Sequence, residues 1–170
     1  KDKWFDEFNP YQGGGDMIEK VEINDTIYAS GYSKFEAGTP PIAQVIGLGS
    51  SIDFVNSLNL DKIFKYEKEL HDYTVDKLKS FSDIDIYGSS SSKGSIISFN
   101  FKGVHANDLA MILDQKNIAI RTGHHCAQPL MKYLNINSSA RASFGIYNNY
   151  KDADFFIDSL NKAKNFLTLS

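Results

Sequence analysis

The chain has 170 residues, of which 42% are hydrophobic and 23% charged, and its net charge is −3. This length suits one domain, or a domain with an appendage, and is enough to bury a core. The slightly acidic balance and scattered lysines argue against a nucleic-acid surface. We expect no membrane segment, since no apolar run approaches spanning length. The single cysteine rules out an intramolecular disulfide and predicts a reducing compartment, the cytoplasm.

The first sixty residues carry turn signals and one helical pattern. Three glycines at residues 13–15 predict a tight loop or hairpin tip. A phosphate-binding loop is the alternative, but no Lys-Ser/Thr pair follows the glycines. Alternation over residues 17–27 predicts one or two short strands. Thr39 followed by Pro40 predicts a helix start with Thr39 as N-cap, and apolar spacing predicts a helix over residues 42–56.

From residue 60 onward the periodicities predict helices and strands in a regular order. The order is helix, strand, strand, helix, strand, short helix, strand and helix. The expected ranges are 61–79, 84–87, 95–101, 105 or 107 to about 116, 118–121, 129–133, 140–147 and 151–167. We expect a turn at 88–94, with Phe64 and Phe166 on the buried sides of their helices. This pattern predicts an α+β fold, with helices covering a mostly antiparallel sheet of about four strands.

Residues 121–130 concentrate the reactive side chains of the chain. They contain its only cysteine, one of its two arginines and two of its four histidines. A lone cysteine is often a small buried hydrophobe. Neighbouring cations favour the thiolate, however, and a polar run with a glycine favours a reactive loop. A metal site of His124, His125 and Cys126 is disfavoured, because side chains of consecutive residues splay apart, and we expect no metal.

The same segment, Arg-Thr-Gly-His-His-Cys-Ala-Gln-Pro-Leu, resembles the active-cysteine loop of SUF-type (group II) cysteine desulfurases. These enzymes are relatives of selenocysteine lyases among the class V aminotransferases, which are fold-type I pyridoxal-phosphate enzymes. Further segments resemble the family in its order: the glycine hairpin at 13–18, the cofactor-facing loop at 35–40 and the substrate-arginine strand at 140–143. The resemblance implies that residues 61–170 form the small C-terminal domain and residues 1–60 an edge of the large domain.

The family's Schiff-base lysine follows a histidine upstream of the glycine hairpin, and no lysine follows a histidine here. The resemblance therefore implies the C-terminal part of a homodimeric enzyme, inactive alone. It implies that Cys126 takes sulfur from L-cysteine as a persulfide, leaving L-alanine. An acceptor protein would then carry the sulfur to iron–sulfur cluster assembly. A non-catalytic sulfur-relay or docking module and a selenocysteine lyase are the alternatives.

The resemblance also assigns roles to individual side chains. Arg141 would grip the substrate carboxylate, against the alternative of an ordinary ion pair. Arg121 would support the loop or act near the carboxylate, or form a structural salt bridge. Gly38 and Thr39 would reach across a dimer interface and contact the phosphate group of the partner subunit's pyridoxal phosphate. Finally, His124 and His125 would tune the thiol or transfer protons.

Overall fold

The computed structural model describes residues 3–88 and 94–169, so most of the predicted 88–94 turn lies outside the described residues. The chain divides into two compact units, one ending at Leu58 and one beginning at Asn59. The assignment of the first unit to the edge of a larger domain stays a prediction. No helix in the described part of the chain is long and apolar enough to cross a membrane.

The first unit contains a short hairpin between helical segments. Its elements are α1 (Lys3–Glu7), β1 (Ile18–Val21), β2 (Thr26–Tyr28), a 3-10 helix (Gly31–Phe35) and α2 (Ile42–Ser57). The two predicted strands are confirmed, and they pair in antiparallel fashion. Their turn is closed by the Glu22 amide, which donates to the Asp25 carbonyl at 2.8 Å. The glycine run therefore precedes the hairpin as a loop and does not form its tip.

The glycine run contacts the loop at residues 35–40. A Cβ added at Gly14 would lie 2.8 Å from the Ala37 Cβ, closer than two carbons normally approach. Beside this contact, the Gly38 amide donates to the Gly15 carbonyl at 2.8 Å. A residue without a side chain at position 14 is thus what allows the two loops to touch.

Helix α2 matches its predicted range, but its N-cap residue differs from the prediction. Pro41 occupies the N-cap position and no side chain caps the helix, so the prediction of Thr39 as N-cap is wrong. Ile42 N bonds to the Pro40 carbonyl, which shows that the Pro-Pro pair sets the turn before the helix. The large apolar side chains of α2 are exposed: Ile42, Val45, Ile46, Leu48, Ile52, Phe54 and Val55.

The second unit is a four-stranded antiparallel sheet with helices, as predicted. Its strands are β3 (Ile84–Tyr87), β4 (Ile96–Phe101), β5 (Arg121–Gly123) and β6 (Ser139–Ser143), arranged in the order β3-β4-β6-β5. Its helices are α3 (Leu60–Leu78), α4 (Ala106–Asp114), α5 (Gln128–Tyr133) and α6 (Tyr150–Leu169). Asn59 caps α3 by accepting from the Lys62 amide, and His105 caps α4 through Nδ1.

One face of the sheet forms the hydrophobic core with α3, α4 and α6. Alternate side chains of β4 and β6 point into it, and they are Ile97, Phe99, Phe101, Ala140 and Ala142. Phe99 is fully buried at the centre, where the rings of Phe101 and Phe156 meet it edge-on. The expected burial of Phe64 and Phe166 is wrong: both are more than half exposed.

Strands β5 and β6 differ from their predicted ranges because of the turns beside them. Helix α4 ends in a left-handed closure, with Asn117 at φ 58° and the Ile118 amide bonded to the Leu113 carbonyl. Ile118 therefore belongs to the helix cap, and β5 begins three residues later than the predicted strand. Strand β6 ends at Ser143, short of the predicted residue 147, because a turn follows in which Asn148 Oδ1 accepts from the Gly145 amide.

Candidate active site

The face of the sheet opposite the core is polar and carries both arginines. Strand pairing aligns Tyr87, Ser98, Arg141 and Arg121 in one row across the four strands. Residues directly opposite each other in antiparallel strands lie on the same face. Because side chains alternate along each strand, apolar residues face the helices and polar residues lie on the opposite face, which we call the polar face.

Arg121 and Arg141 are direct partners across β5 and β6, although like charges in such positions repel. Within residues 3–88 and 94–169, neither guanidinium lies within ion-pair distance of a carboxylate. The Nε atom of Arg141 is buried and has no hydrogen-bond partner among the described residues. The pair therefore forms a positive site suited to a small anion.

Cys126 lies in the turn between β5 and α5, and its side chain is a free, exposed thiol. Arg121 Nη2 lies 3.4 Å from its Sγ atom. His125 and Cys126 both adopt the left-handed backbone conformation, with φ of 55° and 59°. Such conformations cost on the order of 1–3 kcal/mol each in residues other than glycine, and they cluster at functional sites.

His125 anchors this turn to the start of β6. Its Nε2 lies 2.9 Å from the Ser139 carbonyl and 3.0 Å from the Ser139 hydroxyl. A carbonyl can only accept, so Nε2 carries the proton, and the buried Nδ1 has no partner among the described residues. Burial lowers the pKa of His125 below its usual value. The hydrogen bond to the Ser139 carbonyl raises the pKa in part, and the nearby positive charges lower it further. The ring is therefore neutral near pH 7.

Two further contacts orient the same segment. Thr122 points to the core side and donates from its hydroxyl to Asn107 Oδ1 at 2.6 Å, which ties β5 to the first turn of α4. The exposed His124 contacts Gln128 at 3.4 Å through Nδ1. Among the described residues, no three His, Cys, Asp or Glu side chains are grouped to hold a metal ion.

Gly38 and Thr39 belong to the first unit, where their polar groups differ in availability. The Gly38 amide is engaged by Gly15, and its φ of 86° suits glycine. Within the described part of the chain, neither the amide nor the hydroxyl of Thr39 donates a hydrogen bond. Of the two predicted cofactor contacts, Thr39 offers free donors.

Comparisons with known proteins identify the family. The model of the class-V aminotransferases matches residues 1–156. This chain belongs to the class-V aminotransferase family. A probable cysteine desulfurase of Staphylococcus aureus (strain COL) is 45% identical over 160 residues, covering 94% of this chain and 39% of that protein. One from Streptomyces coelicolor is 42% identical and covers 92% of this chain and 38% of that protein.

Solved structures agree with this family assignment. A cysteine desulfurase of Escherichia coli, in an S-sulfonic acid form, superposes with a TM-score of 0.86 at 30% identity, over 98% of this chain and 41% of that one. The apo enzyme of Thermococcus onnurineus gives 0.84 at 35% identity, over 95% of this chain and 41% of its own. The chain thus spans about two fifths of the length of these relatives, and its fold is that of the class-V aminotransferases.

Within this family member, the structure brings together most of the residues singled out in the sequence. Arg121, His125, Cys126 and Arg141 lie on or beside the polar face. Sequence reasoning missed two residues that position this segment. Ser139 binds the His125 ring, and the Asn100 side chain binds the residues on both sides of Ser139. For Ser139, the signal in the sequence was its position directly before the segment that carries Arg141.

Proposed function

We propose that the polypeptide containing this chain is a pyridoxal-phosphate-dependent cysteine desulfurase, which converts L-cysteine to L-alanine and retains the sulfur on Cys126. The observation that carries the proposal is the exposed Cys126 thiol, which lies 3.4 Å from the Arg121 guanidinium. Opposite Arg121 in the sheet lies Arg141, which has no carboxylate partner in the described part of the chain. The similarity to desulfurases at 42–45% identity supports the same reaction.

In this proposal Arg141 binds the carboxylate of L-cysteine. Arg141 lies on β6, which is paired with a strand on each side, so the backbone that carries its side chain is held rigidly. A planar guanidinium holds a carboxylate through two parallel hydrogen bonds and fixes its orientation. The absence of a carboxylate partner within the described residues leaves Arg141 available for this role.

The nucleophile in the proposed reaction is the Cys126 thiolate. Its Sγ atom attacks the sulfur of the substrate, so that an S–S bond forms while the substrate's C–S bond breaks. The electron pair of the broken bond stays with the carbon, which takes up a proton to become the methyl group of alanine. Arg121 orients the attacking sulfur, because its Nη2 donates to Cys126 Sγ at 3.4 Å.

The residues of this chain fit a phosphate-bearing cofactor at Thr39, whose amide and hydroxyl donate to none of the described residues. Gly38 fits less directly, because Gly15 already accepts from its amide. We propose that Thr39 donates to the phosphate of pyridoxal phosphate in the partner subunit, and that Gly38 shapes the loop. When bound, this cofactor supplies the electron sink that makes cleavage of the C–S bond accessible.

The proposed surroundings of the enzyme follow from the same chemistry. A persulfide on an exposed residue can pass its outer sulfur to an acceptor protein, which we propose delivers it to iron–sulfur cluster assembly. A free exposed thiol suits the reducing cytoplasm. The seven exposed apolar residues of α2 suit burial against the rest of a homodimer.

The test is the reaction of the complete polypeptide that contains this chain, loaded with pyridoxal phosphate. With L-cysteine and a thiol acceptor, we expect equal amounts of alanine and transferable sulfur. The Cys126→Ala variant should bind the cofactor with unchanged absorbance but lose sulfur transfer. Near-wild-type transfer by Cys126→Ala would contradict the proposal. A parallel assay with L-selenocysteine separates a desulfurase from a selenocysteine lyase by the ratio of kcat/KM values.

A further inference from the structure

We infer that Asn100 is a positioning residue for the cysteine loop, acting through Ser139 and His125. Its side-chain amide holds the backbone on both sides of Ser139, and Ser139 in turn binds the histidine next to Cys126. The inference rests on the proposed function only for the chemistry of Cys126. The linkage itself is a matter of contacts within the second unit.

The Asn100 side chain bonds to the backbone at the start of β6, at the point where the backbone pairing between β4 and β6 has ended. The ladder between β4 and β6 ends at the pair Phe99 and Ala140. Beyond it, Asn100 Nδ2 donates to the Ser138 carbonyl at 2.7 Å, and Asn100 Oδ1 accepts from the Ala140 amide at 3.3 Å. A side-chain amide presents the same donor and acceptor as a peptide group. Asn100 thus fixes the first residues of β6 where the sheet no longer does.

Ser139 lies between this amide and the cysteine loop. It is almost fully buried at 1% exposure, and it pairs with Gly123 of β5. Its carbonyl and hydroxyl both lie within 3.0 Å of His125 Nε2. Any shift of the segment held by Asn100 therefore moves both groups that hold the His125 ring.

The loop needs such an anchor because of its backbone. His125 and Cys126 are consecutive left-handed residues, and neither is a glycine. Non-glycine residues keep this conformation only where their surroundings impose it. The His125 ring supplies the constraint from one side, and Cys126 Sγ meets Arg121 as a result. When the anchor is loosened, the thiol should spend less time beside Arg121.

The experiment measures the alkylation rate of Cys126 by iodoacetamide at pH 7 in the complete polypeptide. Alkylation consumes the thiolate. Cleavage after Arg121 and Lys132 isolates the thiol in one tryptic peptide, so mass spectrometry follows it alone. The variants are Asn100→Asp and Asn100→Ala. Asn100→Asp keeps the shape and the acceptor but loses the donor to Ser138.

We expect either substitution to lower the rate constant by up to about fivefold, the most that the loss of about one hydrogen bond can change the population of the anchored loop. In a His125→Ala background the same substitution should change nothing further, because the link to the loop is already cut. Tyr87→Phe is the matched control, since it removes only the hydroxyl that accepts from Asn100 Nδ2 at 3.2 Å. It should leave the rate unchanged.

Three results would overturn the inference. They are an unchanged rate in Asn100→Asp, an equal loss in the His125→Ala background, or an equal loss in Tyr87→Phe, which would indicate general loosening of the sheet. The isosteric Asn100→Asp variant keeps the test valid should Asn100→Ala fail to fold. Alkylation requires neither cofactor nor L-cysteine, so a failure of the proposed desulfurase activity would remain distinguishable from a failure of this linkage.

Discussion

Replacing Arg141 with methionine should stabilise the sheet and weaken binding of the substrate. Arg141 lies directly opposite Arg121, and its buried Nε has no hydrogen-bond partner within residues 3–88 and 94–169. Methionine keeps a long apolar stem but removes the charge and the unpaired donor. Opposite effects on stability and activity are expected of a side chain that is kept for binding at a cost to the fold.

The size of each effect follows from these contacts. An unpaired buried donor costs about 1–3 kcal/mol. Like charges directly opposite in a sheet add about 0.2–1 kcal/mol. Because Arg141 is only half-buried, we take the low end and expect a gain of about 1 kcal/mol, or about fivefold in the local opening equilibrium. Loss of the bidentate contact should lower kcat/KM for L-cysteine by about a hundredfold.

Hydrogen exchange of the β4 and β6 amides in the complete polypeptide measures the first effect, because exchange reports local opening. Steady-state alanine formation measures the second. Arg141→Lys is the functional comparison: a point charge should raise KM and lower kcat, since it cannot form the forked contact. Faster exchange in Arg141→Met would show that Arg141 stabilises the sheet, and unchanged kinetics in Arg141→Lys would give it a structural role.

Three further predictions test the loops and the core. Gly14→Ala should loosen the loop that Gly14 contacts by about 1–3 kcal/mol, seen as faster amide exchange, whereas Gly13→Ala, with open space around it, should not. The cysteine loop should open more easily as pH falls below about 6.5. The pKa of His125 is lowered in the folded loop, so its ring stays neutral there, whereas the ring of the opened chain takes up a proton. His125→Gln should remove that dependence and His124→Gln should retain it; the reverse pattern would contradict the assignment. Phe99→Ala should destabilise the second unit by about 3–5 kcal/mol in chemical denaturation, and a loss below about 1 kcal/mol would show that Phe99 is not central to the core.

The order of elements was predictable because it depends on periodicity and on local end signals. Alternation in β3 and β4 and the spacing of α3 and α6 identify their types and a buried face. Burial of particular residues was less predictable. Phe64 precedes the first buried residue of α3, Leu70, and is therefore exposed. Phe166 is exposed because it lies beside the buried stripe of α6, which continues to Leu167. Sequence spacing cannot show where a covering surface ends.

The candidate site was predictable in its residues but not in its geometry. Cys126 and the two arginines stand out by rarity and by resemblance to desulfurases. The left-handed backbone at His125 and Cys126 has no signal in residue type, because such conformations normally favour glycine. The shift of β5 depends on the closure at Asn117, and the role of Ser139 on cross-strand register. These are tertiary features that local patterns do not encode.

The most direct test of the central claim, that Cys126 receives the sulfur, is the mass of its tryptic peptide after one turnover. The complete polypeptide, loaded with cofactor, is mixed with L-cysteine without a reductant or acceptor, quenched with an alkylating agent and digested. We predict that the peptide containing residues 122–132 gains one sulfur atom in the same amount as alanine forms, and releases it on reduction. Alanine formed with that peptide unmodified, or sulfur found on another residue, would contradict the assignment of Cys126.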